Sequence, residues 1–345
     1  MKLKQLSLVN FRSFSNKSFK FSPAITLIVG DNGAGKTNLL EALFLLSTGR
    51  SFRATKEAQM INNGAELARI QTQTETDSLE IVLTTGEIAG QKVAKKRYLL
   101  NGVAKRRMDF ISCLRCVLFR PEDINLILGS PSLRRDYLDT VLESVDWQYR
   151  RSNLAYQKGL RQRNKLLQRI REGEAQRSQL LFWNRLLIKN GELISQKRQE
   201  LIDFINHQLE TDQRNTRLEY DKSAISPERL EKYKEAEVGA GATLIGPHRD
   251  DVKFLKSNQR DLALYGSRGE QRMAVLATKL SELVFITQRI QEKPLLLLDD
   301  IFSELDENNR QLVWQLINQH QTIITATDED LVSQQTFDKI IKIGK

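Results

Sequence analysis

Apolar and polar residues alternate along several short segments in the first third of the chain. A period of two residues is typical of β-strands with one buried face. The expected strands are residues 3–9, 25–29, 79–83 and 98–100. Asn-Gly pairs at 63–64 and 101–102 indicate turns between strands. We therefore expect strands and loops around a single helix, which begins near residue 38 and ends near residue 46.

The pattern changes near Ser132 to one typical of helices. Residues 132–215 contain no proline and only three glycines, and they are rich in residues that favour helices. Apolar residues repeat every seven positions, which predicts a packed helix face; the repeat is Leu180, Leu187, Ile194 and Leu201, accompanied by Leu181, Ile188, Ile202 and Leu209. A helix over 147–171 and a turn at Glu172–Glu174 would complete a short antiparallel hairpin.

The α/β pattern returns after about Glu237, with a helix predicted over 269–289 and an apolar strand over 295–298. The helical block therefore looks like an insertion into one α/β domain. We predict an α/β head formed by residues 1–131 and 238–345, with a helical arm over 132–237.

The composition of the chain favours binding to anionic partners. The 345 residues include 53 Lys and Arg against 43 Asp and Glu, a net charge of +10, which favours nucleic acid, nucleotide or an anionic membrane. The N-terminal segment alternates like a strand rather than a signal peptide. No apolar run approaches the ~20 residues of a membrane span, so we expect a soluble cytoplasmic protein.

Cys113 and Cys116 form the only C-x-x-C spacing. No second pair or histidine pair could complete a structural zinc site. A buried thiol pair is the simpler interpretation.

A phosphate-binding motif begins where the third predicted strand ends. The segment fits G-x-x-x-x-G-K-[ST] between a strand and a helix, which is the context that this motif requires; its residues are Gly30, Asp31, Asn32, Gly33, Ala34, Gly35, Lys36 and Thr37. The loop N–H groups would face phosphate oxygens. Lys36 would contact the β- and γ-phosphates, and the Thr37 hydroxyl would bind Mg²⁺. The motif predicts ATP and Mg²⁺ as cofactors.

Paired acids follow the apolar strand at 295–298. Asp299 and Asp300 would lie at its carboxyl end, where ligands of parallel sheets bind. We predict Asp299 as the second Mg²⁺ ligand and Asp300 as the general base that polarises the attacking water. Acids at this place can also cap the next helix.

Three weaker segments together resemble the ABC/SMC family of P-loop ATPases. The segment 267–271 (SRGEQ) is similar to the ABC signature, 303–306 (SELD) to the D-loop, and 10–14 (NFRSF) to the N-terminal segment of SMC heads. A Ser-x-Gly sequence could also merely cap a helix. The resemblance implies that Arg12 approaches the nucleotide and that Ser267, Gly269 and Glu270 contact the nucleotide of a second copy. It therefore implies an ATP-dependent homodimer.

Further stretches resemble one DNA-repair branch of this family: 46–53, 119–123, 129–135, 163–167 and 246–251. That branch implies an ABC/SMC-like head with a short arm, a weak DNA-stimulated ATPase activity and binding to double-stranded, gapped or junction DNA. It also implies RecO and RecR as partners in loading RecA onto single-stranded DNA.

Two departures from ordinary ABC ATPases predict slow hydrolysis. Asp300 replaces glutamate, and Thr327 stands before Asp328 where many ABC proteins carry a histidine. Correct water placement dominates phosphoryl transfer, so a shorter base and a missing histidine should both slow it. No Q-loop glutamine is identifiable, although Glu122 lies in roughly that region.

The alternatives are the ATP-binding subunit of a membrane transporter and another SMC-like clamp in which ATP merely joins two copies. The arm and the repair-type stretches argue against the transporter. A GTPase lacks support because no Asn-Lys-x-Asp motif occurs, and a nuclease because no further acid and histidine cluster accompanies the head.

The predicted helix at 147–171 carries eight basic residues and no acid. Arg151, Lys158 and Lys165 recur every seven residues, with Arg169 one turn later, beside an apolar face of Leu160 and Leu167. Such a stripe indicates either phosphate contacts or a solvated face.

Overall fold

The computed structural model describes residues 2–212, 215–303, 307–327 and 337–344. Within these ranges the chain is a mixed α/β protein. The strands are β1 (Leu3–Phe11), β2 (Phe14–Lys20), β3 (Ile25–Val29), β4 (Leu67–Thr74), β5 (Ser78–Thr84), β6 (Glu87–Ile88), β7 (Gln91–Lys92), β8 (Lys96–Leu100), β9 (Val103–Lys105), β10 (Cys116–Phe119), β11 (Thr216–Asp221), β12 (Asp251–Lys256), β13 (Leu295–Asp299), β14 (Thr322–Ala326) and β15 (Lys339–Lys342).

The helices alternate with these strands in the first and last parts of the chain and dominate the middle. They are α1 (Lys36–Thr48), α2 (Arg107–Phe110), α3 (Asn125–Leu128), α4 (Pro131–Val145), α5 (Trp147–Arg171), α6 (Leu180–Thr211), α7 (Pro227–Ala240), α8 (Leu262–Tyr265), α9 (Arg268–Ile290) and α10 (Glu307–Ile317). The predicted strands, the helix after the phosphate-binding motif, the hairpin turn and the strand before the paired acids are all confirmed.

The chain forms two compact units. Unit 1 comprises Met1–Asp123 and Ile286–Lys345, and unit 2 comprises Ile124–Phe285. Unit 2 extends beyond the helical block because β12 pairs with β11 and contacts α4. The predicted head and arm boundaries at 131 and 238 therefore do not coincide with these units, and the division into head and arm remains a prediction.

Unit 1 contains a parallel and an antiparallel sheet. The parallel sheet has the order β10-β13-β14-β3-β15, and the antiparallel sheet has the order β2-β1-β4-β5-β8-β9. Helix α1 contacts strands of both sheets, so nearly its whole circumference is buried. This explains the run of apolar residues along α1, because a helix that is covered on all sides needs no polar face.

Unit 2 is built on the antiparallel pair α5 and α6, with α4, α7 and the two-stranded antiparallel sheet β11-β12 packed beside it. Leu187, Ile194 and Leu201 are at most 1% exposed, which confirms the packed face predicted from the seven-residue repeat. Leu181 is 59% exposed, so its assignment to that face is wrong. It lies at the first turn of α6, one residue round the helix from the buried Leu180.

A buried hydrogen-bond network joins the helices of unit 2 to the segment 246–251. The Arg198 guanidinium, 3% exposed, donates to Asp139 at 2.7 Å and to Asp250 at 3.0 Å. It also donates to the Pro247 carbonyl at 2.7 Å. The Tyr149 hydroxyl also donates to Asp139. Arg198 and the two carboxylates therefore all have hydrogen-bond partners. Charges buried with such complete pairing fix the packing of the elements that carry them.

His248 lies beside this network in a neutral hydrogen-bonded site. Its Nδ1 is 2.8 Å from the Tyr156 hydroxyl and its Nε2 is 3.0 Å from the Thr243 carbonyl. These distances fit a tautomer that donates from Nε2 and accepts at Nδ1. Burial lowers the pKa of His248 to about 4.

Candidate nucleotide site

The phosphate-binding motif forms a loop between β3 and the first turn of α1. Gly33 and Gly35 have φ angles of 85° and 107°, which glycine adopts without strain. A Cβ atom at Gly35 would also lie 2.9 Å from Phe14 Cζ and 3.0 Å from Ser13 Oγ. Glycine at this position is therefore required both by the backbone and by its neighbours.

Lys36 is folded over this loop. Its ammonium donates to the carbonyl oxygens of Gly30 at 2.5 Å and Asp31 at 3.2 Å. The residue is 7% exposed, so the positive charge is held where the loop and the N-terminus of α1 converge. This is the arrangement in which a cation, backbone N–H groups and a helix N-terminus act on one anion.

Thr37 and Asp299 meet at the carboxyl edge of the parallel sheet. The Thr37 hydroxyl donates to Asp299 Oδ1 at 3.2 Å, and the Thr325 hydroxyl donates to the same oxygen at 2.8 Å. Burial raises the pKa of Asp299, and the two hydroxyl hydrogen bonds oppose that shift. A hydroxyl and a carboxylate oxygen 3.2 Å apart form a hard-oxygen donor set that suits Mg²⁺.

Asp300, the predicted base, follows β13 with a φ angle of 50°. Its backbone N–H lies 3.1 Å from the Thr325 hydroxyl and 3.3 Å from the Thr325 carbonyl. A left-handed backbone at a non-glycine residue is uncommon and clusters at functional sites. Its role as a base remains a prediction.

The Arg12 side chain forms an ion pair with Glu41, a contact that sequence analysis missed. Arg12 Nη2 and Nε donate to the two carboxylate oxygens of Glu41 at 2.6 and 2.8 Å. The Ser51 hydroxyl donates to the same carboxylate. The sequence contained one indication of this contact, because Glu41 is a lone acid in the apolar run of α1. A buried charge requires a partner.

The signature-like segment caps α9 in unit 2. The Glu270 carboxylate accepts from the Ser267 N–H at 2.7 Å and from its hydroxyl at 2.9 Å, while the Glu270 N–H lies 3.3 Å from Ser267 Oγ. This is a capping box. Lys256 lies 2.6 Å from Glu270, and chiefly this contact lowers the pKa of Glu270 to about 2. Contact between Ser267, Gly269 or Glu270 and a nucleotide remains a prediction.

Some predicted residues lie outside the described part of the chain. These are Glu304, Leu305 and Asp306 of the D-loop-like segment, and Asp328. Thr327 is described and half-buried. Glu122 lies in a 3₁₀ turn, 3.9 Å from Arg120, and its charge contributes to the raised pKa of Asp299.

The basic helix α5 is only partly a basic surface. Arg163 is 2% exposed at its side chain and pairs with Glu237 at 2.6 Å, and Arg150 is also buried. Arg169 and Arg171 lie near Glu174 and Glu172. The four remaining cations are exposed and have no acidic partner within the described residues; they are Arg151, Lys158, Arg161 and Lys165.

Neither cysteine is in a disulfide: Cys116 is buried, and Cys113 is half-buried with its thiol 3.7 Å from the Asp109 carbonyl oxygen. Across the described residues, no group of three or more His, Cys, Asp or Glu side chains is arranged as a metal site. No helix in the described ranges has both the length and the apolar character that a membrane span requires.

Comparison with known proteins decides the family. Residues 2–345 match the family model described as "RecF/RecN/SMC N terminal domain". The chain is 34% identical to the DNA replication and repair protein RecF of Lachnoclostridium phytofermentans, over 99% of this chain and 98% of that protein. The chain belongs to the RecF family of DNA replication and repair proteins.

Solved structures agree with this family. The structure of the recombination mediator protein RecF with ATP in the RecFOR pathway matches with a TM-score of 0.88 and 31% identity, covering 99% of this chain and 95% of that one. An SMC head bound to the C-winged helix domain of ScpA matches with a TM-score of 0.52 and 17% identity, a likeness in fold alone. The predicted fold class, an α/β protein with an ABC/SMC-like ATPase head, is confirmed.

Proposed function

We propose that this RecF-family protein binds ATP and Mg²⁺ at the loop Gly30–Thr37. The observation that carries the proposal is the convergence of Lys36, the loop and the Thr37–Asp299 pair at one edge of the parallel sheet. The loop and Lys36 would hold the phosphates, and Thr37 and Asp299 would hold Mg²⁺. When bound, Mg²⁺ would neutralise the charge that develops on the phosphates during hydrolysis.

ATP hydrolysis by this site should be slow. Asp300 would orient the attacking water and accept its proton, but its carboxylate is one methylene shorter than the glutamate of ordinary ABC ATPases. Thr327 stands where many of them have a histidine. Since positioning of the water controls phosphoryl transfer, the protein is better suited to act as a DNA-binding switch with weak, DNA-stimulated ATPase activity than as a fast enzyme.

The switch consists of ATP-dependent dimerisation. One phosphate-binding loop and one signature-like segment occur in each chain, so Ser267, Gly269 and Glu270 of one copy would complete the nucleotide site of the other. For Ser267 to contact a phosphate, its hydroxyl must turn away from Glu270, to which it donates here at 2.9 Å. The capping box would then be weakened on dimerisation.

The dimer would bind double-stranded DNA as well as gapped or junction substrates, and would assist RecO and RecR in loading RecA. We expect such a DNA-binding protein to act in the cytoplasm. The exposed cations of α5, with no acidic partners in the described residues, are a candidate phosphate-binding surface.

The experiment is a DNA-binding titration with ATP, with ADP and without nucleotide, on double-stranded, single-stranded and gapped DNA. The proposal predicts tight binding only with ATP and to substrates that contain duplex. Binding of equal strength under all three nucleotide conditions would contradict the switch, and an absence of DNA binding under every condition would contradict the DNA-binding role.

A further inference from the structure

The turn between β1 and β2 lies directly against the phosphate-binding loop. Ser13 Oγ and Phe14 Cζ are both within 3.0 Å of the position that a Cβ atom would occupy at Gly35. Ser13 Oγ also accepts a hydrogen bond from Asn38 Nδ2 at 3.0 Å, in the first turn of α1. Arg12, which precedes Ser13, is therefore located at the edge of the candidate nucleotide site.

The backbone of this turn is held in an unusual conformation by several hydrogen bonds. Asn10 and Arg12 both have left-handed φ angles, of 50° and 52°. The Arg12 N–H donates to the Met60 carbonyl at 2.9 Å, and Asn62 Nδ2 donates to the Arg12 carbonyl at 2.7 Å. Left-handed non-glycine residues persist where their surroundings over-determine them. The position of the Arg12 Cα atom is therefore fixed before any ligand binds.

The Arg12 side chain is fixed as well. Glu41 is 0% exposed and accepts from Arg12 through both carboxylate oxygens. Arg12 Nη1 donates to the Gln59 carbonyl at 2.6 Å. Since Ser51 donates to the same carboxylate, the orientation of Glu41 is itself determined. The guanidinium plane can hardly rotate without breaking several charge-assisted hydrogen bonds.

Hydrogen-bond capacity remains on Arg12. A guanidinium has five N–H groups, and the described contacts use three of them. The side chain is 19% exposed. Arg12 and Glu41 together are neutral, so the pair adds no net charge to the site. Any gain in phosphate binding would arise because the remaining Arg12 N–H groups point in a fixed direction.

We propose that Glu41 is a positioning residue, which with Ser51 holds Arg12 ready to donate to the phosphates of bound ATP. The inference rests on the proposed function, since it assigns Glu41 to the same nucleotide site. Glu41 itself would not touch the nucleotide. It would affect ATP binding through Arg12 alone. A residue whose ion pair only stabilises the fold would have no such effect on ATP binding.

A double-mutant cycle tests the proposal, with ATP affinity measured by calorimetry for the wild type, Arg12→Ala, Glu41→Gln and the double variant. Arg12→Ala should weaken ATP binding about tenfold, and Glu41→Gln about three- to tenfold, as expected for lost charge-assisted hydrogen bonds. In the Arg12→Ala background, Glu41→Gln should change the ATP affinity less than about twofold, because the Arg12 guanidinium through which Glu41 acts is already absent. Thermal melting reports the folded fraction of each variant.

The outcomes separate the inference from the proposed function. A wild-type protein that does not bind ATP overturns both. If the wild type binds ATP but Arg12→Ala or Glu41→Gln leaves the affinity unchanged while lowering the melting temperature, the ion pair is structural and the inference alone is wrong. Equal effects of Glu41→Gln with and without Arg12 would also overturn it. Should Glu41→Gln fail to fold, the same cycle with Ser51→Ala decides, with the single effect expected at about two- to threefold.

Discussion

Arg12, Arg163 and Arg198 each pair with a buried carboxylate, yet their surroundings differ between the two units. Arg163 and Arg198 in unit 2 are at most 3% exposed, and protein groups surround their guanidinium groups. Arg12 in unit 1 is 19% exposed and uses three of its N–H groups in the described contacts. An arginine enclosed by acceptors stabilises the fold, whereas one that keeps donors beside a phosphate-binding loop can also serve a ligand.

The same distinction divides the cations of α5. Arg163 is enclosed with Glu237, whereas Lys158 and Lys165 are exposed on the same helix. The sequence of α5 presents all of these as one basic run. Burial and pairing in the fold therefore separate structural cations from those available to an anionic partner.

The largest expected effect on stability is that of Arg198→Met. The substitution leaves Asp139 and Asp250 buried without their cation, so the free energy of unfolding should fall by about 3–5 kcal/mol. Denaturant unfolding measures the change. Arg185→Met, an exposed arginine on the same helix, is the matched control and should change stability by about 0.5 kcal/mol or less. A loss below about 1 kcal/mol for Arg198→Met would contradict an enclosed structural role.

The stability of unit 2 should also depend on pH. The folded-state pKa of His248 is lowered to about 4 by burial, below an unfolded value of about 6.5. The unfolded chain therefore takes up the proton first as the pH falls below about 6.5, and the stability contributed by neutral His248 is lost toward pH 4.

His248→Gln should remove this contribution to the pH dependence. The loss of stability between pH 7 and pH 5 should be smaller in the variant by about 2 kcal/mol, as measured by unfolding at both pH values. His207→Gln, at an exposed position of α6, serves as the control. An unchanged pH dependence in His248→Gln would show that His248 does not need to be neutral for folding.

A smaller effect is expected on DNA binding. Replacing Lys158 and Lys165 with Gln should weaken binding to all DNA sequences alike and lower the slope of log K against log salt by about two, roughly one for each lost phosphate contact. ATP binding should be unchanged. Lys234→Gln, at a lysine paired with Glu231, is the control. An unchanged affinity and salt slope would make the α5 stripe a solvated face and would direct the search for the DNA site elsewhere.

Local sequence predicted those features that depend on neighbours in the chain. The phosphate-binding loop, the strand before Asp299 and the hairpin turn at 172–174 each lie within a few consecutive residues. The turn and strand residues, the glycines and the periodicity of apolar residues are therefore sufficient to predict them.

Features that depend on distant residues could not be predicted in this way. Arg12 and Glu41 are separated by 29 residues and Arg163 and Glu237 by 74, so nothing in either local pattern indicates the pairing. The exposure of Leu181 depends on which elements cover the first turn of α6. The extent of unit 2 likewise depends on the pairing of β12 with β11.

Nucleotide bound at Lys36 is proposed to control assembly of the protein, and sedimentation velocity of wild type and Lys36→Met tests this central claim most directly. The loss of the buried loop lysine should weaken ATP binding at least about 100-fold, because its charge would face the phosphates of bound ATP. The wild type should therefore sediment as a dimer with ATP and as a monomer without it. Lys36→Met should remain a monomer in both conditions, and the exposed-site control Lys158→Met should behave like the wild type. A Lys36→Met protein that dimerises in ATP like the wild type would contradict the claim.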